Sequence, residues 1–282
     1  MKKEFTRREV LGAGLGAAAL VTAGAAISPS SVRAADAGEL GVLNKFGEEL
    51  ENGFLLETSP IAVKMLEKES DIPKGAFRPK KDGGIHLAQC QSFGMSRREG
   101  KTVAMLKEDH WCPTALEVYG MVEKVSTGFS MEYSMSFETG KYVGVVTAPL
   151  KNASFMPDVV MIYMTPSQLR GALMSMAFGG SDQVKTELFL PSCGHAVVDP
   201  IKTGKYVVVL PDPGEVQRGL AADDEMILAV PKQKVQSFMA MLKPNGKMYS
   251  HRDRNWVMSM KPDFEQPPFY KQKFKAWGLD SE

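Results

Sequence analysis

Between Phe129 and Glu138 apolar and polar residues alternate. Phe129, Met131, Tyr133, Met135 and Phe137 interleave with Ser130, Glu132, Ser134, Ser136 and Glu138, the period of two expected of a half-buried strand. Other short apolar runs also read as strands: Ile61–Leu66, Lys101–Leu106, Tyr142–Thr147, Thr186–Leu190, Tyr206–Leu210 and Asp223–Val230. Asp158–Met164 is apolar enough to predict a strand buried on both faces. Helical spacing governs other segments. Leu40, Leu43, Phe46, Gly47 and Leu50 recur along Glu39–Leu56, and Leu87, Cys90, Gln91 and Met95 mark a helix over His86–Arg98 that Gly100 ends. Thr114 is expected to cap a helix through Val118. Thr165-Pro166-Ser167 opens one that Gly179-Gly180 closes, and Pro231 is expected to start another over Lys232–Leu242. Ile72–Gly84 reads as a Pro/Gly/Lys-rich loop. The tail from Lys261, rich in proline and aromatics, reads as an irregular wrap.

Two stretches share an order of parts. Ile61 to Cys112 and Val159 to Cys193 each run strand, helix, strand, then a cysteine loop. This suggests an α/β fold with a mixed sheet and an internal duplication, the halves falling near residues 40–150 and 151–245, with a wrap over 246–282. Ligands of such a sheet gather at the loops beyond the strand ends.

The first residues stand apart from this pattern. Arg7-Arg8 precede an Ala/Gly-rich apolar stretch from Leu11 to Ile27, and Val32-Arg33-Ala34 lies just ahead of Ala35. That is the layout of a twin-arginine signal peptide over residues 1–34, with a single globular domain over 35–282. The expected location is therefore the periplasm or another extracytoplasmic compartment, reached already folded. The apolar stretch is too rich in glycine and alanine to favour a membrane-spanning helix, with an uncleaved signal acting as an anchor as the alternative. No later run is long enough to span a bilayer.

Composition excludes some partners. A formal net charge of +1 leaves no electrostatic footprint for nucleic acid. Hydrophobic residues make up 44% and charged residues 24%, as in an ordinary globular chain with a sizeable core. The 18 methionines fall mostly in apolar runs and read as core packing. No phosphate-cradling glycine loop, GxSxG elbow or HExxH is present outside the signal.

The chemistry therefore rests on Cys90, Cys112 and Cys193, the only three cysteines. Cys112 and Cys193 stand at strand-to-loop junctions beside Pro113 and Gly194, whereas Cys90 lies on a helix face. Three thiols cannot all pair with one another: either two form a disulfide, or all three serve one ligand. Three thiolates suit an iron–sulfur cluster or another soft metal, and His110 or His195 could supply a fourth ligand. Glu108, Asp109, Asp223, Asp224 and Glu225 are candidates for acid–base work, and Arg97 and Arg98 for holding an anion. The expectation is a redox or metal-cofactor protein that meets a partner protein or a small molecule. A metal-free small-ligand-binding protein and an accessory subunit of an exported oxidoreductase are the alternatives.

A set of short motifs adds a resemblance. Ser59-Pro-Ile-Ala-Val-Lys64, Ile72-Pro73, Leu87-Ala-Gln-Cys90, Arg97-Arg98-Glu-Gly100, Glu108-Asp109 before Cys112-Pro113, Ser192-Cys193-Gly194, and Asp224-Glu-Met226 with Pro231 resemble the domain of unknown function 169 family. The similarity covers roughly Leu40 to Leu242. It implies a shared fold and a shared cysteine site, and it carries no settled activity.

Overall fold

Burial along the strands follows from where they sit in the sheet. The computed structural model describes residues 29–124, 135–181, 183–186, 191–243 and 268–278. Strands β1 (Ile61–Leu66), β2 (Val103–Leu106), β3 (Gly144–Pro149), β4 (Val159–Met164), β5 (Lys185–Thr186), β6 (Val207–Val209) and β7 (Met226–Pro231) form one sheet in the order β2-β3-β1-β4-β7-β6-β5. Neighbours pair antiparallel except β5 and β6, which are parallel, so the fold is α/β with a mixed sheet. The chain divides at Asp36, and the sheet belongs to the unit Ala37–Glu282.

Helices cover both faces, which is why an antiparallel sheet reads as unbroken apolar runs. Ala62, Leu66, Val160, Ile162, Leu228 and Val230 point to one face. There they pack against α1 (Pro29–Phe54), α5 (Pro166–Phe178) and α8 (Val235–Leu242). Ile61, Val63, Val159, Met161, Tyr163 and Ala229 point to the other face. That face carries α3 (Gln89–Glu99), α4 (Pro113–Val118) and a helix entered at residue 192 that runs through a π-helical turn, Gly194–Val198, into α6 (Asp199–Thr203). The recurring order of parts does not extend to placement, because α3 and α5 lie on opposite faces.

Several boundaries differ from expectation for local reasons. Cys112, not Thr114, is the N-cap of α4, since Pro113 takes the first helical position, where its missing N–H costs nothing. Pro231 both ends β7 opposite Val159 and caps the 3₁₀ turn Lys232–Lys234 that leads into α8, so the expected helix over Lys232–Leu242 forms with a 3₁₀ first turn. The Ile72–Gly84 loop contains the short α2 (Pro79–Gly83), ended by Gly84 at φ 65°. Of the alternating segment, 129–134 lies outside the described residues. Residues 135–138 are irregular, with Phe137 buried edge-on against Tyr142 at 4.9 Å. Residues 187–190 of the expected Thr186–Leu190 strand are likewise outside the described residues, as are 244–267. In the tail, Pro268–Ala276 is a helix, α9, rather than an irregular wrap. As expected, Thr165 caps α5 in a reciprocal pair with Gln168, and Gly100 ends α3 at φ 72°.

Helix α1 approaches the chain after β3 at Gly47, where an added Cβ would sit 2.8 Å from the backbone nitrogen of Lys151. At Gly41, six residues earlier in the same helix, an added Cβ meets nothing within 4 Å. Gly47→Ala is expected to destabilise the fold by about 1–3 kcal/mol, and Gly41→Ala to stabilise it by roughly 0.5–1 kcal/mol. Urea unfolding of the two variants checks this; equal effects would contradict the packing of α1.

Candidate functional site

A cleft of about 300 Å³ opens on the α3 face of the sheet, and all three cysteines line it. Each comes from the start of a helix. Cys90 is the second residue of α3, Cys112 is the N-cap residue of α4, and Cys193 lies in the first turn of the helix that leads to α6. Cys90 and Cys193 are buried and Cys112 half-buried, and all three are free thiols. The sulfur-bearing residues therefore meet where first-turn N–H groups have no intrahelical acceptor. Asp212, the N-cap of α7 (Pro213–Gln217), forms a further part of the wall.

Burial sets the protonation of these groups. It pushes the Cys90 thiol up to about 12, with the carboxylates of Glu215 and Asp212 adding to the shift. Cys193 is raised by burial and then by Asp212. Without a cation both thiols are neutral, and a metal binding here would release their protons. The hydroxyl of Tyr119, fully buried and within electrostatic range of Cys193 and Asp212, has no hydrogen-bond partner among the described residues.

Behind the cleft two carboxylates hold one serine. Asp212 accepts from the Ser192 backbone N–H at 2.9 Å, and Ser192 Oγ lies 2.9 Å from Asp212 Oδ2 and 2.9 Å from Glu215 Oε2. A hydroxyl has one proton to donate, so one carboxyl must supply the proton of the second bond. Glu215 is the better candidate: burial pushes it up to about 7, against the stabilising bond from Tyr163. The Tyr163 hydroxyl donates to Glu215 Oε1 at 2.5 Å, and the Arg97 guanidinium lies 3.7 Å from the centre of the Tyr163 ring. Arg97 is itself anchored by both oxygens of buried Glu225. Thus the candidate acids sort themselves: Glu225 is a structural partner of Arg97, while Asp109 ties Arg78 and the Leu106 N–H in place.

The two histidines do not line the cleft. Burial drives His110 down to about 4, and neither ring nitrogen has a partner among the described residues. His195 Nδ1 bonds Asp199 Oδ2 at 2.8 Å, one turn along its own helix. Among the described residues no group of three or more His, Cys, Asp or Glu side chains forms a site for a metal ion. What the cysteines share is a cavity, not a point.

A family model described as Uncharacterised ArCR, domain of unknown function 169, matches residues 49–240. The chain belongs to that family. No curated protein and no solved structure matches the chain. The family match spans all three cysteines, Asp212 and Glu215, so the whole cleft lies within the shared domain.

Sequence reasoning missed Trp111, Gln89, Asp212, Glu215 and Arg218. One signal was available: Asp212-Pro-Gly-Glu215 is a capping-box spacing, and the structure forms that box.

Two buried groups predict opposite pH effects. Glu215 is raised from 4.5 to about 7, so its stabilising contribution is complete below about 4.5 and is lost as pH rises through 7. His110 is lowered from 6.5 to about 4, so its contribution is present above 6.5 and lost as pH falls toward 4. Relative to wild type, the stability of Glu215→Gln is expected to improve between pH 4.5 and 7, and that of His110→Leu to improve between 6.5 and 4, each by up to about 2–3 kcal/mol. Urea midpoints across this range give the answer; curves parallel to wild type would refute the assignment.

Proposed function

We propose that the protein is an exported redox or metal-cofactor protein whose Cys90, Cys112 and Cys193 hold an iron–sulfur cluster, or another soft-metal group, in the cleft. The supporting observation is that three cysteines scattered along the sequence line one cavity. A cavity of about 300 Å³ is larger than a single ion requires, and three soft sulfur donors suit a polyatomic iron–sulfur group. The donor set, three sulfurs at three helix starts, fits such a group, whose potential depends on burial and on hydrogen bonds to its sulfurs. When bound, it supplies one-electron chemistry or, with only three protein sulfurs, a position for a small molecule. The protein's own residues hold the three sulfurs on separate helices, keep one proton between Asp212 and Glu215 at the inner wall, and set Arg218 beside the Trp111 ring on the cleft wall. The twin-arginine motif at Arg7-Arg8 supports export, a route associated with cofactors inserted before translocation. No helix among the described residues is long and apolar enough to cross a membrane.

A second reading has its own support: the neutral state favoured for Cys90 and Cys193 also suits a metal-free cleft that binds a small organic molecule.

An absorption spectrum with iron and sulfide analysis, on protein purified without oxygen, separates the two. The proposal predicts broad visible absorption with stoichiometric iron and sulfide. Cys112→Ala and Cys193→Ala are expected to lose the cofactor, and His251→Ala to keep it. Colourless, metal-free protein from cells able to build clusters would refute it, and equal metal in all three variants would refute the site.

A further inference from the structure

The outer surface of α5 and α9 carries apolar side chains that the cleft does not use. Tyr270, Phe274 and Trp277 recur at the four- and three-residue spacing that puts them on one side of α9. Trp277 follows the last residue of α9, and its N–H still bonds the Lys273 carbonyl at 3.1 Å. Phe274 and Trp277 meet edge-on at 6.0 Å. The row continues onto α5, where Phe178 meets Tyr270 edge-on at 6.2 Å and Met174 precedes Phe178 by one turn. Met174, Phe178, Tyr270 and Trp277 are 50%, 49%, 46% and 65% exposed. Single exposed hydrophobics need no explanation, but a contiguous row marks an interaction surface.

The charge around this row has one sign. At about 100° of rotation per residue, Lys271 and Lys273 flank the aromatic row on its two sides, and Lys275 lies beyond Lys271. Arg170 stands one turn before Met174 on α5, and all four cations are exposed. Neither α5 nor the stretch Pro268–Gly278 contains an acidic residue. Aromatic rings bounded by lysines suit a membrane–water interface, where the rings sit among the headgroups and the lysine stems carry their charge to the phosphates.

We infer that this face docks on an anionic phospholipid surface, with Tyr270, Phe274 and Trp277 among the headgroups and Lys271, Lys273 and Lys275 on the lipid phosphates. α9 lies on such a surface and does not cross it. Its nine residues rise about 14 Å, half of a hydrocarbon core of about 30 Å. A second copy of the chain is the poorer occupant, because a two-fold pairing of this face sets lysines against lysines. The inference does not depend on what the cleft holds.

Co-sedimentation of the full chain with phosphatidylglycerol–phosphatidylcholine vesicles, against vesicles of phosphatidylcholine alone, tests this. The N-terminal segment, with Arg7-Arg8 before an apolar stretch, can itself meet lipid, so the deciding comparison is between chains that all carry it. The wild-type chain is expected to sediment with the anionic vesicles, and the triple variant Lys271→Gln, Lys273→Gln, Lys275→Gln to bind them roughly tenfold or more weakly. Trp277→Ser is expected to weaken binding by roughly fivefold to tenfold. It is also expected to remove the blue shift of tryptophan emission that the wild-type chain shows on these vesicles. All four positions are exposed, so the urea midpoints of both variants are expected to match wild type. Wild-type protein left in the supernatant, or both variants binding as tightly as wild type, would overturn the inference. A wild-type dimer that Trp277→Ser abolishes, with no vesicle binding by either chain, would overturn it and assign the face to a second copy.

Discussion

Ser192 sits between the half-buried Asp212 and the buried Glu215, and the place of Cys193 follows from that. Asp212 takes the Ser192 N–H, and Asp212 and Glu215 both reach its hydroxyl. The same two side chains form the capping box that starts α7. One polar knot thus fixes the beginning of two helices, and with them two sides of the cleft. Burying Glu215 beside the half-buried Asp212 is tolerable only because their oxygens are bonded and because one of them keeps its proton. The Tyr163 hydroxyl and the stacked Arg97 extend the knot across the sheet face to Glu225, so the wall behind the sulfurs is rigid. Immediately after Cys193 the helix widens into a π turn, a feature that often marks functional sites.

The sheet divides labour between its faces. One face is closed by α1, α5 and α8 in an apolar layer that includes the edge-on contact of Phe46 with Phe238 at 6.0 Å. The other face carries the helices that begin around the cleft. Helix starts carry a partial positive charge, which suits thiolates and the negatively charged groups they form. Burial raises the Cys90 and Cys193 thiols, and a bound cation would lower them again.

Much of the fold was legible in the sequence because both of its periodicities are strong. β1 and β4 fall within one residue of their expected bounds, and α5 begins and ends where its capping residues and glycines require. Proline has two uses here: Pro113 displaced the cap from Thr114 to Cys112, while Pro231 is both the last residue of a strand and the cap of the turn that opens the expected helix. The cysteines were legible as candidates, but their meeting place was not. Cys90 sits on a helix face and reads as a small buried hydrophobe; only the packing of α3 over β1, β2 and β3 brings its first turn to the others. Histidines two residues from a cysteine looked like ligands by spacing alone. At His195 the helical path turns the ring toward Asp199 instead. Gln89, Trp111 and Arg218 gave no local signal, because their significance comes from lining one cavity with residues distant in sequence.

The measurement closest to the central claim is an anomalous-scattering map at the iron edge from crystals grown without oxygen. The account predicts iron inside the cleft, bonded by the sulfurs of Cys90, Cys112 and Cys193 at about 2.3 Å, a typical metal–thiolate distance. Iron bound elsewhere, or an iron-free cleft with two of these cysteines joined in a disulfide, would contradict it.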